Sequence, residues 1–249
     1  MIRARVQHLF HHPELAAAMV LVLSLPMMAQ QVDAKSWGKN TPGVELMVHE
    51  GPRQHTPSGT VLVYSFAGKG FTPGVAYNLW GWIPGEQPKK FLDGVSFDDR
   101  GVLICSGKAG FCSGQAPDDP VNIRSEAVQG EPKRFGVIAP DGNVAAFAED
   151  IPFPIEASDK NCKVSVIRVS PLGEVVLARA TGFVPYEMLT VTTGTGTESP
   201  TATPEGTWEG LAGNGSSGGR SGVATLKVSG KDCAVAVSYD FGAGSAKIQ

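Results

Sequence analysis

Five histidines occur in the chain, and only His49 and His55 lie beyond its first thirty residues. Glu45 and Glu50 flank them, and imidazole with carboxylate is a donor set for transition metals. On a strand, however, Glu45 shares a face with His49 while Glu50 points to the other, which suits a solvated edge strand and turn better than a ligand cluster. The carboxylate pairs Asp98, Asp99 and Asp118, Asp119 precede turn residues, where aspartate accepts backbone hydrogen bonds, so they are assigned to turns rather than to acid/base work. Gly215, Ser216, Ser217, Gly218 and Gly219 fit G-x-S-x-G, and Gly213, Gly215 and Gly218 fit G-x-G-x-x-G. The first pattern needs a strand-to-helix elbow and a later histidine, and the second needs a βαβ unit. The last histidine here is His55, so both matches are read as a Gly/Ser-rich loop.

No nucleophile, base and orienting group are brought together by this sequence, and no catalytic residue, metal or cofactor is assigned. The chain is read as non-enzymatic. The alternative is a hydrolase whose site is assembled from dispersed carboxylates.

Two residue sets remain that bear on function. The first is Cys105, Cys112, Cys162 and Cys233, which admit three pairings. Cys105 with Cys112 and Cys162 with Cys233 is the arrangement that keeps each bridge inside one half of the chain. Zinc is disfavoured because Cys105 and Cys112 lack close pair spacing and no histidine is near. The second set is Asn78, Trp80 and Trp82. On a strand these share one face, while Tyr77, Leu79 and Gly81 share the other. With Tyr77 and Leu79 inward, two tryptophans stand outward, a composition that marks interaction surfaces for a protein or glycan partner. The competing assignment places one tryptophan in the core and the other over a domain junction.

The elements that must position these residues read as strands. Short valine-rich runs alternate with turn signals such as Pro140 to Asn143 and Asp98 to Gly101, and the chain carries 31 glycines and 18 prolines. Strands are expected at Val44 to Val48, Thr60 to Phe66, Ala76 to Trp82, Val102 to Ser106, Arg134 to Ala139 and Val144 to Ala148. A second group is expected at Cys162 to Val169, Glu174 to Ala180, Leu189 to Thr193, Val223 to Val228 and Cys233 to Tyr239. Asp118 to Ala127 reads equally as a helix entered at Pro120 or as a strand. Such punctuation indicates sandwiches or small barrels.

An internal repeat narrows the choice. Gly70, Phe71, Thr72 and Pro73 sit between two strands, and so do Gly182, Phe183, Val184 and Pro185, 112 positions later. That offset suits two sandwich domains of about 100 residues each. The domains are expected over residues 35–155 and 156–249, with Thr192 to Thr207, rich in Thr, Gly and Pro, as a long loop in the second.

The stretch Ala67, Gly68, Lys69, Gly70, Phe71, Thr72, Pro73, Gly74, Val75, Ala76, Tyr77 resembles a segment of the neocarzinostatin-type apoproteins and, more broadly, immunoglobulin-like modules of exported bacterial proteins. The resemblance implies an immunoglobulin-like sandwich in each half. Those apoproteins hold an enediyne chromophore in a cleft, but no cleft residue can be matched here, so the fold is carried over and the ligand is not.

The first 34 residues differ in kind. Arg3 and Arg5 precede an apolar run of fourteen residues from Leu15 to Met28, the order of a secretory signal peptide. Spanning a bilayer core of roughly 30 Å needs about 20 apolar residues, so removal is favoured over anchoring. Neither end offers a lipid attachment signal. The chain is therefore expected in the periplasm or outside the cell. After cleavage its net charge is −3 or −4, which argues against nucleic acid as a partner. N-terminal sequencing of the exported protein is expected to begin at Lys35, or at Gln30 if cleavage follows Ala29; an intact Met1 would overturn the signal assignment.

Overall fold

The computed structural model describes residues 38–106, 118–215, 221–243 and 248. The signal segment, Cys112 and residues 216–220 of the Gly/Ser-rich stretch lie outside these. All described residues belong to one compact unit, and every named element is a strand.

Nine strands come first: β1 (Glu45–Glu50), β2 (Gln54–Thr56), β3 (Gly59–Lys69), β4 (Tyr77–Trp82), β5 (Lys89–Phe97), β6 (Leu103–Cys105), β7 (Ile123–Glu126), β8 (Lys133–Ile138) and β9 (Ala145–Asp150). One sheet is built on β3, which pairs with β1, β2 and β7, and the other runs β6-β5-β4-β8-β9. Eight strands follow: β10 (Ile155–Asp159), β11 (Cys162–Arg168), β12 (Val175–Thr181), β13 (Thr190–Thr193), β14 (Gly196–Glu198), β15 (Trp208–Gly213), β16 (Gly222–Ser229) and β17 (Ala234–Phe241). They form the sheets β10-β11-β12-β15 and β14-β13-β16-β17. Every pairing is antiparallel.

The two halves share one topology. In each, a first strand (β1, β11) pairs with a second (β3, β12), which pairs with a fifth (β7, β15). The opposite sheet pairs the third (β4, β13) with the sixth (β8, β16), and the sixth with the last (β9, β17). That is the connectivity of an immunoglobulin-type sandwich. The period-2 burial of β3 and β17 shows its cause, since alternate residues turn into a core between two sheets. One core gathers Leu62, Tyr64 and Phe66 of β3 against Leu79, Val95, Phe135 and Val137 of the facing sheet. The other gathers Val164, Val176 and Ala178 against Leu226, Val228, Val235 and Val237.

The repeat is geometric as well as sequential. Gly70 and Gly182 follow the second strand in each half with φ of 78° and 80°. A Cβ at Gly70 would lie 2.1 Å from the Gly43 carbonyl oxygen, and one at Gly182 would lie 2.0 Å from that of Asn161. Only glycine meets both the left-handed dihedral and the close approach. Phe71 and Phe183 are buried just after it. The turn then closes in the same way, by Val75 N–H to the Thr72 carbonyl and by Glu187 N–H to that of Val184.

Eleven expected strands are present within a few residues. Of the two readings of Asp118 to Ala127 the strand is present, as β7, and five other strands had no expectation. β5 begins Lys89, Lys90 and is broken by Gly94 at φ 67°, with the register against β4 shifting along it. β2 and β14 are three residues long and β15 is glycine-rich. β10 lies where a boundary was expected, so the second half begins at Ile155. The expected Thr192 to Thr207 loop needs correction. Its first part is the hairpin β13–β14, closed by Thr193 opposite Gly196, because threonine side chains favour strands and glycine serves the turn. The rest runs past Pro204 and Gly206 into β15.

Cys162 and Cys233 form a disulfide with Cα atoms 6.3 Å apart, tying the start of β11 to the start of β17. Cys105 is also disulfide-bonded; its expected partner, Cys112, is outside the described residues. The first half holds Val44 and Val144 where the second holds Cys162 and Cys233. Val44 follows Gly43 as Cys162 follows Asn161, and Val144 accepts from Ala139 N–H as Cys233 accepts from Gly230 N–H.

The halves meet through Arg168, 1 % exposed at the end of β11. Its Nε donates to the Gln129 carbonyl at 2.6 Å and its backbone N–H to the Gly130 carbonyl at 2.8 Å. Nη2 donates to the Asp240 carbonyl. Beside it, Lys133 pairs with Glu131 at 2.5 Å, both buried. Ile248 returns to the first half, giving its N–H to the Ala127 carbonyl and accepting from Thr60 N–H at 2.7 Å.

Arg168→Ala removes the donor and strands two partly buried carbonyls, and a loss of about 2–5 kcal/mol is expected in denaturant unfolding. A loss below about 1 kcal/mol would deny the junction this role. A Val44→Cys, Val144→Cys variant is expected to oxidise spontaneously and to be about 2–4 kcal/mol more stable oxidised than reduced. Failure to form the bridge would refute the positional equivalence.

Candidate binding face

Chain direction and pleat place Asn78, Trp80 and Trp82 on the outer face of β4. Tyr77 and Leu79 are 2 % and 0 % exposed in the core, while the three face residues are half-buried. No tryptophan of β4 is therefore a core residue. Register supplies the neighbours. Trp82 lies opposite Arg134 and Arg134 opposite Glu149; Trp80 lies opposite Gly136 and Gly136 opposite Phe147; Asn78 lies opposite Ile138 and Ile138 opposite Ala145. Lys90 of β5 lies on the other side of Trp80.

The row through Trp82 is tied together. The Arg134 guanidinium carbon sits 4.4 Å from the Trp82 ring centroid, a cation–π contact. Arg134 Nε donates to Glu149 Oε2 at 2.5 Å. Trp82 Nε1 donates to the Glu86 carbonyl at 2.6 Å and so holds the Ile83–Pro88 loop. Gly85 of that loop packs against Pro171 of the second half, where an added Cβ would lie 2.5 Å from the proline ring. Trp82 is thus fixed beside the junction as well as on the face. Trp80 Nε1 is buried with no hydrogen-bond partner among the described residues.

A pocket of about 470 Å³ opens here, lined by Gly38, Asn40, Trp82, Arg134, Phe147, Ala148 and Glu149. Asn40 and Thr41 run along the edge of β9. Phe147 N–H donates to Asn40 Oδ1 at 2.8 Å, Ala145 N–H to Thr41 Oγ1 at 2.9 Å, and Thr41 N–H to the Ala145 carbonyl at 2.8 Å. Arg134, Phe147 and Glu149 escaped the sequence reading. Their alternation along β8 and β9 was legible, but their placement beside β4 needs the pairing of the third and sixth strands.

Elsewhere the turn assignment of Asp98 is supported by contacts, while Asp118 and Asp119 pair through their backbone with Cys105. Asp98 accepts from Val102 N–H at 2.8 Å and from Arg100 N–H at 2.9 Å, and the Val102 bond above all holds its carboxyl below the ordinary range. His49 lies on exposed β1 with Glu45 on the same side, and His55 Nδ1 is 3.1 Å from Thr60 Oγ1. Among the described residues no group of three His, Cys, Asp or Glu side chains is placed to hold a metal. A second pocket, about 320 Å³, surrounds the disulfide and includes Glu187 and Asp232. Both Glu187 oxygens accept backbone N–H groups, from Val184 and Lys231, each at 2.7 Å, which is a structural use of that carboxylate. Tyr64 and Asp150 form a separate buried polar spot at the edge of the first core, and burial raises the pKa of both.

No family model matches the chain, and no curated protein matches it. The resemblance to neocarzinostatin-type apoproteins is thus not shown by these comparisons. A crystal structure of a tetra-tandem repeat in the extending region of a large adhesion protein is similar over 80 % of this chain and 49 % of that one, at 16 % identity and a TM-score of 0.25. This chain spans about half the length of that one, and so low a score bears on neither fold nor function.

Proposed function

We propose that the chain is an exported, non-enzymatic binding or structural module, composed of two immunoglobulin-like domains, and that it engages a partner through the outer face of β4. One observation carries this. The two halves supply an internal comparison, and at 112 positions' offset the residues the fold needs are alike: Gly70 and Gly182, Phe71 and Phe183, Pro73 and Pro185, Leu79 and Val191. At the outward positions they part. Asn78 and Trp80 are matched by Thr190 and Thr192, and Trp82 by Gly194. The equivalent outer sheet of the second half presents Thr192, Lys227 and Ala236 in one row and Thr190, Ser229 and Ala234 in the next.

A sandwich of this type therefore folds with a hydroxylated face, and the tryptophans answer some other demand. Large aromatics beside an arginine are the side chains that dominate binding interfaces. Export is supported by the leader-like first 34 residues and by a buried Cys162–Cys233 bridge, which persists in oxidising compartments. No helix among the described residues is long and apolar enough to cross a membrane.

The test is a pull-down from the protein's own secretome and envelope fraction, comparing wild type with a Trp80→Ala, Trp82→Ala double variant. Loss of captured partners is expected in the variant. An unchanged set would sink the aromatic face as the binding surface.

A further inference from the structure

We propose that the pocket between Trp82 and Phe147 takes a neutral oligosaccharide, a proposal that rests on the outer face of β4 being the binding surface. Its volume of about 470 Å³ is within the ordinary range of small-ligand sites. Charge decides the ligand's sign. Among the described residues the one cation lining the pocket, Arg134, is already paired with Glu149 at 2.5 Å and laid on the Trp82 ring. An anionic ligand would bring a second negative charge beside Glu149, and a cationic one a second positive charge beside Arg134, so the closed pair favours neither sign.

Polarity excludes a wholly apolar ligand. Asn40, Arg134 and Glu149 share the lining with the two rings, and an aliphatic ligand would cover them without replacing their hydrogen bonds to water. An added peptide strand is disfavoured by the edge of β9, where the N–H groups of Ala145 and Phe147 already donate to Thr41 Oγ1 and Asn40 Oδ1. A pyranose ring meets both requirements at once. Its C–H face packs on an aromatic ring, and its hydroxyl rim exchanges hydrogen bonds with an amide, a guanidinium and a carboxylate.

The secreted chain is titrated calorimetrically with cellohexaose, mannohexaose and chitohexaose as neutral probes and with a galacturonate oligomer as the acidic one, at low and at high salt. At least one neutral probe is expected to bind with an affinity indifferent to salt. Trp82→Ala is expected to weaken it about tenfold or more. Phe147→Ala should do the same, which keeps the test valid if loss of the Trp82–Glu86 contact unfolds the loop. Thr192→Ala, at the second-half position that matches Trp80, should leave affinity unchanged. Binding of the acidic oligomer alone, with steep salt dependence, would overturn the proposal. So would silence from every neutral probe, and if the Trp80→Ala, Trp82→Ala pull-down still loses a partner, the ligand class falls while the binding face stands.

Discussion

A buried guanidinium holds the molecule's two halves in register. Arg168 is almost wholly withdrawn from water, and burial lowers its pKa while the neighbouring carboxylate of Glu131 works in the opposite direction. A charge so placed is tolerable only when its donors are satisfied, and here carbonyls of both halves satisfy them: Gln129 from the first and Asp240 from the second. The planar fork of arginine suits such divergent acceptors. Gly173 sits against it, since a Cβ there would meet the guanidinium at 1.9 Å. The turn after β11, the loop before β8 and the end of β17 therefore have to converge on one side chain.

The consequence reaches the binding face. The loop after β4 is held at one end by Trp82 and touches Pro171, in the turn that begins just after Arg168. The pocket beside Trp82 thus lies close to the junction. Its described lining comes from the first half. Ile248 adds a further tie, standing between Thr60 and Ala127 at the same end of the first core.

Duplication of the sandwich separates what the fold demands from what it permits. Both copies keep a left-handed glycine against a carbonyl, a buried phenylalanine after it and a small or medium aliphatic residue at the inward centre of the third strand. They diverge in how the ends of the first and last strands are joined. One uses Val44 and Val144 packed on the core, the other Cys162 bonded to Cys233. They also diverge on the outer sheet, aromatic in one and hydroxylated in the other. The inward positions are constrained by close packing, whereas outward positions are free to be set by a partner.

Much of the architecture is local in origin and so was legible in the sequence. Period-2 alternation announced β3, β4, β16 and β17, because a strand with one buried face must alternate. The glycine turns were legible because left-handed dihedrals select for glycine. The outward set Asn78, Trp80 and Trp82 followed from the same alternation and needed no knowledge of the other strands. Strands without that signal, such as β5 with its glycine break and the exposed β15, form only because a neighbour offers its edge. Which residues stand beside the tryptophans was decided by the tertiary structure alone. Arg134 and Glu149 are 52 and 67 positions from Trp82 and meet it through pairing of non-consecutive strands, a contact that no local pattern encodes. Arg168 is the sharper case. In sequence it is one more charged residue at a strand end, and only the closing of two cores around it makes it a buried donor.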